Sequence, residues 1–223
     1  MSEEQRPSPA PQHRPVPDGR ERHAAERLFG EQFPLVERYV GHLASSGIVR
    51  GLIGPREVPR LWSRHVLNCA VVEELIAADA RVADVGSGAG LPGLCLALAR
   101  PDLRITLIEP LERRVQWLDE VVADLGLTNV RVLRGRAEQA QDEVGEVDVV
   151  TARAVSALVG LVDLTLPLLG GSGELLALKG RSAADEVGKA QKKLDRLGAR
   201  STEIVAAGRE LLDEPTTVVR VRL

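Results

Sequence analysis

The sequence predicts an α/β fold: a seven-stranded, mostly parallel sheet with a terminal antiparallel hairpin and an N-terminal helical cap. Three observations carry this expectation. From Arg81 onward, short aliphatic and β-branched runs alternate with segments of helical apolar spacing, the pattern of strands joined by crossover helices. The first run passes directly into a glycine-rich turn, Asp84-Val85-Gly86-Ser87-Gly88-Ala89-Gly90-Leu91-Pro92-Gly93. The last connection, residues 206–217, contains Gly208 and Pro215 and is too short for a crossover helix, so the final strand returns antiparallel to its predecessor.

Taken in order, residues 1–20 hold Pro7, Pro9, Pro11, Pro15 and Pro17 among polar residues and read as a disordered tail. Residues 21–80 read as the helical cap. A helix over 21–45 repeats Leu28, Phe29, Phe33, Val36, Tyr39, Val40 and Leu43 at spacings of three and four. Gly47 and residues 50–59 break that pattern, and a second helix over 61–77 aligns Val66, Leu67, Ala70, Val71 and Leu75. Residues 81–223 form the sheet domain. Its strands are expected at 81–85, 104–109, 130–133, 147–151, 174–179, 200–205 and 218–221, with helices at 92–100, 111–125, 137–141, 155–169 and 183–197.

A chain of 223 residues fits one domain with appendages. It has no apolar run near the ~18 residues that span a bilayer, and its start lacks a signal-peptide core. Cys69 and Cys95 sit in apolar helical patterns and read as buried free thiols rather than a zinc or disulfide framework, which points to a cytosolic protein. The net charge of −3 gives no global field for nucleic acid, although charge need only be local. Only four of the 29 basic residues are Lys; Arg suits phosphate and base recognition, and a GC-rich genome produces the same bias.

Gly88-Ala89-Gly90-Leu91-Pro92-Gly93 also matches the G-x-G-x-x-G dinucleotide pattern. A pyrophosphate at the helix N-terminus would, however, be repelled by Asp84 at the end of the first strand. A carboxylate there suits the amino group or sulfonium of S-adenosylmethionine, through water or backbone; its other reading is a cap for the following helix. Glu109 ends the second strand, 16 residues after Gly93, where it can accept from ribose hydroxyls of either cofactor. After the third strand, Arg136-Ala137-Glu138 would bring a backbone amide and a side-chain oxygen to an adenine edge, though Glu138 also reads as an ordinary first-turn carboxylate. Five parallel strands and a terminal hairpin favour the Rossmann-like, class I methyltransferase sheet over a plain dinucleotide domain.

The fourth strand and its sequel, Asp148-Val149-Val150-Thr151-Ala152-Arg153-Ala154-Val155, lack the Asn/Asp-Pro-Pro-Tyr/Phe signature common where exocyclic amines are methylated. With Arg64-His65, the extended turn ending in Leu91-Pro92-Gly93, and Leu178-Lys179-Gly180, the chain resembles the bacterial RsmG (GidB) family over residues 21–223. That resemblance implies an S-adenosylmethionine-dependent methyltransferase acting on N7 of a guanine in the decoding region of 16S ribosomal RNA. It implies that Gly86, Gly88 and Leu91 line the cofactor pocket, that Ala137 and Glu138 meet the adenine, and that Arg153 sits at the methyl-transfer end. Asn68-Cys69 departs from the Asp-Ser that many members carry.

Guanine N7 has a free lone pair, so such a site needs positioning rather than a general base, and neither a triad nor a metal cluster is expected. Arg153 and Lys179, near the C-terminal ends of adjacent central strands, are expected to contact RNA phosphate or the guanine O6 edge; local salt bridges are their alternative. Arg64, His65, Arg134 and Arg136 would extend the RNA surface, with His65 equally readable as a satisfied histidine at a helix–sheet junction. Arg113 and Arg114 read as solvated helix charges. The expected partner is 16S ribosomal RNA or the small ribosomal subunit, bound by a monomer at an exposed base. A methyltransferase for a small molecule or protein, and a dinucleotide-binding module, are the competing readings.

Overall fold

The computed structural model describes residues 15–223. The first fourteen residues of the expected tail lie outside it. Residues 15–20 do not extend the tail: the Trp62 indole donates to the Pro15 carbonyl at 2.8 Å, and Asp18 and Glu21 form a reciprocal capping box that starts helix α1, Gly19–Phe29.

The long first helix expected from the apolar spacing is interrupted. Gly30 ends α1 at φ +48°, and α2, Phe33–Ala44, restarts around Pro34, whose missing amide proton is harmless in a first turn. A short α3, Ser46–Val49, follows. The second cap helix is likewise a succession of different windings. A 3-10 segment Pro55–Arg60 leads into π-helical turns at Leu61–Leu67, then α4, Asn68–Ala70, and a 3-10 turn Val71–Leu75. Pro59 prevents regular winding at its start.

The seven strands are β1 Arg81–Val85, β2 Arg104–Glu109, β3 Val130–Arg134, β4 Val149–Arg153, β5 Glu174–Leu178, β6 Ser201–Ala207 and β7 Thr216–Arg222. They lie in the order β3-β2-β1-β4-β5-β7-β6. β1 to β5 pair in parallel, and β7 inserts antiparallel between β5 and β6, as the short last connection requires. The crossover helices are α5 Gly93–Ala99, α6 Glu112–Leu125, α7 Gln141–Val144, α8 Leu158–Thr165 and α9 Ala183–Arg196. α8 is shorter than its apolar spacing predicts because Pro167 turns its continuation, Leu166–Leu169, into 3-10 winding.

Alternate residues of the central strands enter two cores, which is why these strands read as largely apolar runs. Val82 and Leu107 face α5, α6 and the cap, together with Tyr39, Leu94 and Trp117. Ala83, Val85, Ile108 and Val150 face α8 and α9. The strand order reverses between β1 and β4, placing the ends of Val85 and Arg153 at the switch point where open α/β sheets bind ligands. No helix among the described residues is long and apolar enough to cross a membrane.

Candidate active site

The glycine turn grows out of β1 without leaving the sheet. The amides of Gly86 and Ser87 donate to the Ile108 carbonyl at 2.9 and 3.2 Å, carrying the β2 pairing past Val85. Gly86 then sits at φ +69° and Gly88 at φ +56°, where a side chain is strained. A Cβ on Gly86 would stand 2.8 Å from the Val155 side chain. At these two glycines the turn is bare backbone, with Val155 packed against Gly86 and more room at Gly88. From the cap side, the buried Tyr39 hydroxyl donates to the Ala89 carbonyl at 2.6 Å, and Leu91 lies almost enclosed.

Two acids at the strand ends hold this turn. Asp84 is fully buried; its Oδ2 accepts the Gly93 amide at 3.2 Å and its Oδ1 the Thr151 hydroxyl at 3.0 Å. The carboxylate thus caps α5 and ties β1 to β4. Burial pushes its pKa up to about 7, against the hydrogen bonds it accepts. Glu109 is also buried. Its Oε2 accepts the Gly88 amide at 3.0 Å and its Oε1 the Leu111 amide at 3.0 Å. Arg114 is not a solvated charge: its Nη1 lies 3.6 Å from Glu109 Oε2 and its buried Nε has no partner among the described residues.

Arg153 ends β4 half-buried beneath the π-helical segment. Its Nη1 donates to Cys69 Sγ at 3.0 Å and its Nη2 to the Arg64 carbonyl at 3.2 Å, with His65 Nδ1 3.1 Å from Nη2. The other nitrogen of His65, Nε2, is 2.8 Å from Glu57 Oε2. Lys179, just past β5, is nearly enclosed; its Nζ donates to the Ser156 carbonyl at 2.7 Å and pairs with Glu186 at 2.8 Å. Arg153 and Lys179 face a cleft of about 1250 Å³, also lined by Arg64, Asn68, Arg181 and Pro215.

The remaining site candidates divide by position. Arg64 has an exposed side chain at the rim of this cleft. Arg134 ends β3 and Arg136 follows it, three strands from β4, or about 14 Å at ~4.8 Å per strand. Arg134 is exposed and pairs with Glu112 at 3.2 Å. Ala137 is buried in the turn after β3, while Arg136 and Glu138 are exposed on either side.

The family model for GidB, rRNA small subunit methyltransferase G, matches residues 32–214. The chain belongs to that family. It is 68% identical over 198 residues to the ribosomal RNA small subunit methyltransferase G of Paenarthrobacter aurescens, covering 89% of this chain and 91% of that one. It is 69% identical to the protein of the same name from Renibacterium salmoninarum, covering 89% and 92%. Among solved structures, the precorrin-6y C5,15-methyltransferase of Geobacter metallireducens superposes with a TM-score of 0.54 at 16% identity, over 78% of this chain and 91% of that one. TYW2 of M. jannaschii, in complex with AdoMet, gives 0.54 at 16%, over 73% and 78%. These two show the Rossmann-like methyltransferase fold. As a GidB-family member the chain is an S-adenosylmethionine-dependent methyltransferase.

Sequence reasoning about this GidB-family site missed Glu57, Tyr39, Arg114 and Thr151. Thr151 had a signal: it lies on β4 directly across from Asp84 in the parallel register. Glu57 had none, since Pro59 separates it from His65 and no helical periodicity links them.

Proposed function

We propose that this chain methylates N7 of a guanine in the decoding region of 16S ribosomal RNA, in the bacterial cytoplasm, on the RNA or on the small ribosomal subunit. The observation that carries the reading is the 68% identity, over nearly the whole chain, to proteins named ribosomal RNA small subunit methyltransferase G. When bound, S-adenosylmethionine supplies an electrophilic methyl group. The chain's residues fit that cofactor: Gly86 and Gly88 present bare backbone at positive φ, and Glu109 lies against the turn with Arg114 Nη1 3.6 Å from its carboxylate. On this reading Gly86, Gly88 and Leu91 line the pocket, Glu109 holds the ribose, and Ala137 with Glu138 meets the adenine. Asp84 acts from beneath, by fixing the turn through Gly93.

The groups at the other end support methylation at a ring nitrogen such as N7. Methylating an exocyclic amine or a hydroxyl requires a proton acceptor, whereas N7 offers a lone pair directly. Arg153 and Lys179 are cations, His65 has both ring nitrogens engaged, and Asp84 is sealed by Gly93 and Thr151. These groups suit orienting a base rather than deprotonating one. Arg153 stands where guanine O6 or a flanking phosphate would be held, Lys179 braces the segment that follows it, and Arg64 at the rim extends that surface.

The test is transfer of labelled methyl groups to unmodified small-subunit RNA, naked and assembled, followed by nuclease digestion to nucleosides. Label in 7-methylguanosine is expected. Label in a small metabolite or protein with none in RNA, or at another guanine atom, would overturn the assignment.

A further inference from the structure

The contacts of His65 have a chemical direction that fixes its protonation. A guanidinium can only donate. Arg153 Nη2 lies 3.1 Å from His65 Nδ1, so Nδ1 is the acceptor and carries no proton. The ring proton is then on Nε2 and is donated to Glu57 Oε2 at 2.8 Å. The three residues come from a 3-10 segment, a π-helical segment and the end of β4, and only the tertiary fold aligns them. π-Helical winding of this kind recurs at functional sites. Here it presents the Arg64 carbonyl and the His65 ring to the same guanidinium nitrogen.

We propose that Glu57 and His65 are positioning residues for Arg153: Glu57 fixes the imidazole with its proton on Nε2, and the unprotonated Nδ1 holds one arm of the guanidinium at the cleft. The inference rests on the reading of Arg153 as the group at the methyl-transfer end. It adds a condition to that reading. A proton on Nδ1 would turn an acceptor into a donor facing another donor, so His65 contributes to holding Arg153 only while it is neutral. The charged or titratable groups around the imidazole are Glu57, Arg60 and Arg64 on its own stretch of chain, Cys69 on α4 and Arg153 on β4. Cys95 and Tyr39 also act electrostatically on Arg153. Burial lowers the His65 pKa, as does Arg153, against the opposing pull of Glu57, so the neutral ring prevails at neutral pH.

The experiment compares single-turnover and steady-state methylation of small-subunit RNA across pH by wild type, His65→Ala, His65→Asn, Glu57→Ala, Arg153→Ala and the His65→Ala, Arg153→Ala double variant. Cofactor affinity and thermal melting are measured alongside. His65→Ala and Arg153→Ala should each lower kcat about tenfold or more, with cofactor affinity within about twofold, and the double variant should lose no more than Arg153→Ala alone. His65→Asn keeps an acceptor near the Nδ1 position without a titrating ring. It should restore part of kcat and abolish the acid limb of the wild-type profile, whose midpoint should lie below the ordinary ~6.5 of imidazole. Imidazole 15N shifts should report a proton on Nε2, and the His65 pKa should rise in Arg153→Ala as the opposing charge is removed.

Separate outcomes count against separate claims. Full turnover by Arg153→Ala removes Arg153 from the methyl-transfer end and leaves nothing to position. A defective Arg153→Ala with normal His65→Ala and His65→Asn retains that role and overturns the positioning proposal. Additive losses in the double variant overturn it too, because they make His65 an independent contact. If His65→Ala melts early, Glu57→Ala and His65→Asn decide by the same kcat and pH criteria.

Discussion

Glu109 closes the glycine turn by accepting the Gly88 amide at 3.0 Å, although the two residues come from different strand ends. The parallel pairing of β1 and β2 makes this contact possible. Ile108 accepts from both Gly86 and Ser87, which delivers the next residue of β2 to the next bend of the turn. A single carboxylate thereby shapes the cradle, while its second oxygen holds the Leu111 amide ahead of α6.

Removing that carboxylate should affect stability and cofactor binding together. Hydrogen bonds to a charged acceptor contribute about 1.5–3 kcal/mol each, and Glu109→Ala deletes two inside a buried site. Equilibrium titration should show cofactor affinity at least about tenfold weaker, equal to ~1.4 kcal/mol, with a lower melting temperature. Glu109→Gln retains one acceptor and should fall between. Unchanged affinity in Glu109→Ala would exclude it from the cofactor site.

Two glycines of the same motif should fail in different ways. A Cβ on Gly93 would lie 2.3 Å from Leu107 Cδ2 and 2.8 Å from Asp84 Oδ2, both deep in the core. Gly93→Ala should therefore destabilise by about 1–3 kcal/mol through overpacking, while added cofactor still raises the melting temperature. Gly86 meets instead the partly exposed Val155 side chain, which can move aside. Its positive φ costs about 1–2 kcal/mol with a side chain, and the added methyl enters the proposed pocket. Gly86→Ala should lose most of the cofactor-induced rise; an intact rise would place the pocket elsewhere.

Asp84 should leave a signature in stability against pH. Burial raises its folded-state pKa to about 7, from the ordinary carboxylate value of 3.8. The folded protein then binds more protons than the unfolded chain between these values, so this residue's contribution falls as pH rises through that window. Each unit of difference corresponds to about 1.4 kcal/mol. Asp84→Asn retains an oxygen for the Gly93 amide and an amide toward Thr151, and it does not titrate. Its melting temperature relative to wild type should rise from about pH 5 to pH 7.5. Parallel melting curves across that range would show that Asp84 is ionised throughout.

The sheet was legible because a parallel strand buried on both faces reads as a mostly apolar run, as at Val82–Val85, broken only by Asp84, and at Val149–Val150. The end of β4 was not, since the strand runs two residues past the expected 151, to Arg153. Strand ends in turn fix where Asp84, Glu109, Arg153 and Lys179 stand. The breaks in the cap were hidden. α1 and α2 pack on one core, so Phe29, Val36 and Tyr39 keep helical spacing across Gly30 and Pro34. The π-helical winding at Leu61–Leu67 carries the same apolar residues as an α-helix would, and Glu57 reaches His65 only through that winding. Asp84 was the subtler case. Its place was readable, but its complete burial comes from Gly93 and Thr151 closing over it.

Lys179 can be tested as a brace. Its ammonium joins the Ser156 carbonyl to Glu186, and Glu186 also accepts the Leu158 amide at the start of α8. The ion pair with Lys179 and the bonds from Leu158 and Ser182 hold Glu186 below the usual carboxylate range, although burial acts the other way. Together these contacts pin the segment after Arg153, including the Val155 that leans on Gly86. Lys179→Met should raise amide exchange across residues 154–158 about fivefold or more and lower kcat, with a smaller change in KM for RNA. Lys179→Arg should not restore it, because a planar fork does not fit an enclosed site built for a compact ammonium. Glu186→Gln keeps the Leu158 bond while losing the charge, so it should reproduce the exchange and kcat effects in weaker form. If Lys179→Met instead raises KM for RNA with exchange unchanged, and Glu186→Gln is silent, the lysine touches RNA directly and the brace is refuted.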